Sequence, residues 1–156
     1  MRGVLSPKNL SLASVGVLLF LVSVPRVHRL ALQDNQRDAQ SAVRALHQAV
    51  STSSELVTPQ ALAAGLEERL RDVKLHEEHG LIQRHGYLFE VAPGAGVGDV
   101  VRAWPVSHGD TGAAAYLMDP DGTLRVHANP AALWSGPLSS RPTGQEPGWQ
   151  LAERPL

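Results

Sequence analysis

The stretch Leu10-Ser11-Leu12-Ala13-Ser14-Val15-Gly16-Val17-Leu18-Leu19-Phe20-Leu21-Val22-Ser23-Val24 carries no charge and is apolar along most of its length. At ~1.5 Å per helical residue it spans about 22 Å, short of a hydrocarbon core of ~30 Å. Two readings fit so short a run. One is a secretory signal peptide, with Arg2 and Lys8 as its basic start. The other is a retained anchor whose helix continues into the next segment. Ser23-Val24-Pro25-Arg26 offers no A-x-A cleavage pattern, and Pro25 stands where cleavage would fall. That favours the anchor.

Outward from the run, Ala39, Val43, Leu46 and Val50 recur at helical spacing, while Arg37, Asp38, Gln40 and Arg44 face elsewhere. Residues 33–38 are almost wholly polar, so the helix would leave the membrane near Leu32 and become amphipathic beyond it. Pro25 is expected to kink it, since its ring clashes with the preceding turn and it has no N–H to donate. Ser51-Thr52-Ser53-Ser54 reads as a break. A second helix is predicted after it, with Thr58 as N-cap, Pro59 at its first position and Leu62, Leu66, Leu70 and Val73 as its apolar stripe, ending before Gly80.

Beyond Gly80 the period changes from 3.6 to 2. Tyr87, Phe89 and Val91 alternate with Leu88 and Glu90, and Pro93-Gly94-Ala95-Gly96 turns the chain. Strands are predicted over about 100–106, 113–118 and 123–128. The turn His108-Gly109-Asp110-Thr111-Gly112 separates the first two, and Asp119-Pro120-Asp121-Gly122 separates the last two. Short connections imply antiparallel pairing. Beyond Asn129 the chain is rich in Pro, Gly and Ser and is expected to be loop or disorder, with Trp134 and Trp149 as points that could pin parts of it. The fold class is therefore α+β: a long N-terminal membrane-anchored helix packed on a small four-stranded antiparallel meander. The expected divisions are 1–32 for leader and anchor, 33–133 for the head and 134–156 for the tail.

Composition narrows the function. A length of 156 residues allows one small domain and an anchor. A net charge of -1 and an aromatic content of 4% give no surface for nucleic acid. With no cysteine, a disulfide, a thiolate nucleophile and a Cys-ligated zinc are all excluded.

These features together resemble the type IV pilin and type II secretion pseudopilin family. Such a protein opens with a short basic leader ending in Gly. An apolar helix follows, with proline near the twenty-second mature position, and then an amphipathic half-helix on a small antiparallel sheet. Arg2-Gly3 looks like the end of that leader, with Gly3 and Val4 flanking the processing site. Counted from Val4, Pro25 falls at the family's proline position. Gln40-Ser41-Ala42-Val43-Arg44-Ala45-Leu46 resembles the post-membrane helix. Gly86-Tyr87-Leu88-Phe89, Pro105-Val106, Thr111-Gly112 and the 119–122 turn resemble the head. The sequence departs from the pattern at Val4, where the family has Phe, at Lys8, where it has Glu, and at Pro7.

The resemblance implies a structural subunit of a bacterial pilus or secretion apparatus. It would be single-pass in the inner membrane with a periplasmic head, Arg2 and Lys8 on one side and Arg26 and Arg29 on the other giving no clear charge bias. Its partners would be the lipid bilayer and like subunits, met through Ala13, Gly16, Val17, Leu18, Leu19, Phe20, Leu21 and Pro25, with the small residues allowing close helix approach. The alternative is a monomeric anchored binding or sensor module, which Lys8 favours.

Other candidate sites read as structure. His76-Glu77-Glu78-His79 has its histidines three apart, where a zincin helix needs four. With His85 it is the least favoured reading, a metal-dependent hydrolase. Asp119-x-Asp121-Gly122 opens like a calcium loop, but Ala128 stands where its last ligand belongs. Gly94-x-Gly96-x-Gly98 lacks the spacing of a phosphate cradle. Ser107, His108 and Asp110 crowd one turn, whereas triad members come from separated positions. No catalytic residue, metal ligand or cofactor is assigned.

Overall fold

A computed structural model of the chain describes residues 7–52, 58, 60, 61, 63, 64, 72–94 and 98–152, with side chains in the first helix described from Pro25 onward. The chain divides into two units, Met1–Ala31 and Leu32–Leu156. Helix α1 covers Pro7–Thr52 and keeps Pro25 inside it. Of the first unit only helix is described, and residues 25–31 are exposed. Among the described residues no helix is long and apolar enough to cross a membrane. The side chains of the apolar run 10–24 lie outside them.

The second unit is a helix on a sheet. Seven strands follow: β1 Val73–His76, β2 Leu81–Arg84, β3 Tyr87–Pro93, β4 Asp99–Pro105, β5 Ala115–Met118, β6 Leu124–His127 and β7 Gln150–Leu151. They pair antiparallel in chain order, as a meander must when every connection is short. The α+β class and the antiparallel sheet are as read from the sequence, but the sheet has seven strands, not four.

The second predicted helix needs correction. Thr58 does cap a helical turn, its Oγ1 accepting the Ala61 N–H at 3.2 Å, and residues 60, 61, 63 and 64 are helical. Pro59, Leu62, Leu66 and Leu70 lie outside the described residues. Val73, however, opens strand β1, and Glu77–His79 is a single 3-10 turn closed by Gly80 at φ 62°. Val73 and Leu75 alternate with Lys74 and His76, and opposite Arg84 and Ile82 they bury one face of a hairpin. Strand pairing overrides a helical period that rests on one residue.

Alternation divides the sheet into two faces. On one, Ala39, Ala42, Val43 and Leu46 of α1 pack against Ile82, Tyr87, Phe89, Val101, Ala103, Tyr116, Met118 and Leu124. Val43 and Leu46 are fully buried, and Val50 is half-buried at the margin. This is the predicted stripe, with Ala42 added. On the other face Leu81, Leu88, Trp104 and Ala115 are covered by Trp134, with Val106 and Trp149 alongside. Residues 129–149 thus form the irregular loop that the sequence suggested, but packed as a strap rather than disordered. Proline and glycine deny it regular structure without preventing burial.

Candidate functional site

The sequence-predicted assembly residues fall mostly at or before the first part of α1. Gly3 and Val4 lie outside the described residues. Ala13, Gly16, Val17, Leu18, Leu19, Phe20 and Leu21 sit on the helical backbone, with side chains outside the described set. Pro25 is exposed within the helix. After it Val27 and Leu30 are 65% and 59% exposed, three residues apart on one side of the helix. Asp34 and Arg37 make a surface pair at 4.0 Å, worth little in water.

Where α1 meets the sheet, the contact carries polar fixings. Asp38 accepts from Arg84 and lies 3.1 Å from His85 Nδ1, while His85 Nε2 is 4.0 Å from Asp72. His85 takes the left-handed backbone, φ 47°, in the β2–β3 turn. Asn35 Nδ2 donates to Thr111 O at 2.9 Å and ties the helix to the loop before β5. Thr111 Oγ1 meets Gly86 O at 2.8 Å and receives the Ser107 N–H at 3.0 Å. Gly112 lies so close to Tyr87 that a Cβ there would stand 2.3 Å from Tyr87 Oη. Tyr87 and Tyr116 tilt against each other at 5.8 Å beneath Gln36 and Gln40. Burial pushes both phenols above their ordinary range, and for Tyr87 the neighbouring Tyr116 adds to it. The Tyr87 hydroxyl makes no hydrogen bond of ordinary geometry among the described residues.

The remaining motifs resolve into turns. His76 Nε2 pairs with Gln83 Oε1 at 2.6 Å across the β1–β2 hairpin, on the face away from Val73 and Leu75. His85 instead faces Asp38, so the histidines at 76, 79 and 85 do not converge. Among the described residues no group of three metal-ligating side chains forms. Asp119 Oδ1 accepts from Arg125 at 2.6 Å, and Asp121 Oδ1 accepts the Thr123 N–H at 2.8 Å. That bond holds the Asp121 carboxyl below its usual range. Gly122 supplies the positive φ of the hairpin, 85°. Ser107 Oγ bonds Asp110 Oδ2 at 2.7 Å and the His108 backbone N–H goes to Ser135 Oγ, while the His108 ring Nε2 meets no hydrogen-bond partner among the described residues. Gly94 N–H closes the β3–β4 turn on Gly98 O at 2.9 Å, and Gly96 lies outside the described residues. The chain matches no family model, no curated protein and no solved structure.

Sequence reading missed the outer face of the sheet. Glu90 there bridges Arg102 at 3.2 Å and Arg141 at 3.1 Å, and the Arg141 guanidinium lies 4.9 Å over Trp104. Trp104 Nε1 donates to Gly136 O at 2.9 Å. The fully buried Asn129 grips Trp134 by two bonds, Nδ2 to Trp134 O at 2.9 Å and Oδ1 from Trp134 N at 3.3 Å. Glu146 accepts from Thr143 N, Thr143 Oγ1, Gly144 N and Trp149 Nε1. Partial burial pulls its carboxyl upward, but those donors outweigh it and hold the group at about 2. The tryptophans in a glycine-rich tail were the available signal; their partners lie too far along the chain to be seen.

A cleft of about 340 Å³ opens beside α1, lined by Gln36, Ala113, Ala114, Val126, Ala128, Gly148 and Gln150. No charged side chain lines it. Its two carboxamides can each give and take hydrogen bonds, so it suits a neutral polar group rather than an ion.

Proposed function

We propose that the chain is a structural, membrane-anchored subunit of pilin or pseudopilin type, its apolar helix lodged in lipid and against like helices, and its head in the bacterial periplasm. The observation that carries this reading is the division of labour along one helix. Ala39, Ala42, Val43 and Leu46 pack the head, whereas residues 25–31 are exposed. A helical segment without packing is marginal in water, and its apolar groups favour a bilayer or neighbouring chains. The uncharged run 10–24 lies immediately before it.

Membrane retention tests the reading. Val17→Asp or Leu18→Asp places a carboxylate in the apolar run at a cost of roughly 2.5–3.5 kcal/mol, so the variant should leave the membrane fraction. Retention equal to that of the unaltered chain would overturn the anchor. The chain has no cysteine, so Val27→Cys or Leu30→Cys allows disulfide crosslinking at one defined site. Dimers formed in membranes support lateral association. Monomers alone support the alternative, an anchored monomeric binding module, which the opposite charge of Lys8 and the neutral cleft beside Gln36 favour.

A further inference from the structure

We propose that His127 is a proton-sensitive latch that fastens the Asn129 end of the strap 129–149 to the outer face of the sheet and releases that end when its ring takes a second proton. The geometry admits one form of the ring. Nδ1 meets the Asn129 backbone N–H at 2.8 Å, and that group can only donate, so Nδ1 carries a lone pair. Nε2 meets Pro147 O at 2.9 Å, and that oxygen can only accept, so Nε2 carries the hydrogen. Only the neutral Nε2–H imidazole serves both ends of the strap at once. A second proton on Nδ1 sets donor against donor, and the Asn129 bond is lost.

Among the described residues the ring makes no other hydrogen bond that replaces it. His127 is 6% exposed, and its ring is walled by Trp134 at 5.0 Å, Trp149 at 5.4 Å and Gly148, where a Cβ would come within 2.9 Å of Nε2. The charged groups around it are engaged elsewhere. On β6, Arg125 holds Asp119 and Gly144 O. From the strap, Glu146 is taken by Thr143, Gly144 and Trp149, and Arg141 by Glu90, Pro137 O and Ser139 O. Arg102 of β4 holds Glu90, and the backbone of His108, in the β4–β5 loop, bonds Ser135. None of these bonds the imidazole. Histidine is the side chain whose charge changes under mild conditions. The strap hangs on it through Asn129, which is buried at φ 52° and carries Trp134. Opening the latch loosens the Asn129 end of the strap, which carries Trp134, while Gly136 on Trp104 Nε1 and Arg141 on Glu90 keep its middle in place.

All three tryptophans, Trp104, Trp134 and Trp149, sit in this layer, so fluorescence reads the strap directly. The full chain in detergent micelles is titrated downward from about pH 7.5, with the protonation of the His127 ring followed in the same samples by nitrogen NMR. Emission should shift to the red with far-ultraviolet circular dichroism unchanged. Amide exchange at Asn129 should rise on the order of tenfold, as one buried hydrogen bond is lost. His127→Gln should remove the transition and His108→Gln should keep it. A wild-type chain with no spectral change, or the same transition in His127→Gln, overturns the proposal. Should His127→Gln fail to fold, nitrogen NMR of the wild-type ring decides. Nδ1 bare and Nε2 protonated at neutral pH, with both protonated as the strap opens, supports the latch; the opposite tautomer overturns it.

Discussion

Tyr87 and Tyr116 are the only tyrosines of the chain, and both lie between α1 and the sheet with their phenols pushed upward by burial. The sign of the pH effect follows. A folded-state value above the ordinary 10.0 means that the fold binds these protons more tightly than the unfolded chain does. The stabilisation is whole below pH 10 and is lost as pH climbs above it. Phenolate absorbance should therefore stay low past pH 10 and then rise together with loss of circular dichroism. A smooth rise centred at 10 in a still-folded chain would show the hydroxyls open to water. Gly112 belongs to the same spot, since any side chain there runs into the Tyr87 ring. No motif pointed to that constraint. The pairing of Asp38 with Arg84 and His85 was equally invisible, because Arg84 lies 46 residues from Asp38 in sequence, with His85 next to it, and nothing local marks them.

At the scale of elements, helix α1 and strands β3 to β6 were legible because their signals are local. The helix repeats its apolar residues at 39, 43 and 46, the strands alternate for several residues, and Asp121-Gly122 supplies the hairpin turn. Strands β1, β2 and β7 were not. Strands β1 and β2 have four residues, as β5 and β6 do, but no Asp-Gly turn marks them, and β7 has only two; all three exist because a neighbouring strand pairs with them. The same distinction sets where the helix is held. Leu46 is fully buried among the sheet's apolar residues, and Leu46→Ala should cost about 2–5 kcal/mol through lost burial and the cavity left behind. Chemical denaturation followed by circular dichroism measures it. A loss under about 1 kcal/mol would mean that α1 is not the structural spine of the head.

Across the head as a whole, one sheet serves two separate layers, α1 on one face and the strap on the other. Each β-strand alternates between them, so Tyr87 and Phe89 belong to the first while Leu88 belongs to the second. A sheet whose inner strands β2 to β6 are each paired on both sides should screen one layer from changes in the other. Val43→Ala removes two methyl groups from the helix side and should cost on the order of 1.5–2.5 kcal/mol. Leu88→Val removes one methylene from the strap side and should cost about 1 kcal/mol. Distant sites with no shared partners add to within about 0.5 kcal/mol. The double variant should therefore lose the sum of the two, read from denaturation midpoints at constant slope. Coupling above about 1 kcal/mol would show that the sheet passes strain from face to face. In that case a strap loosened at His127 would also loosen the grip on α1, and the two layers would have to be treated as one switching unit.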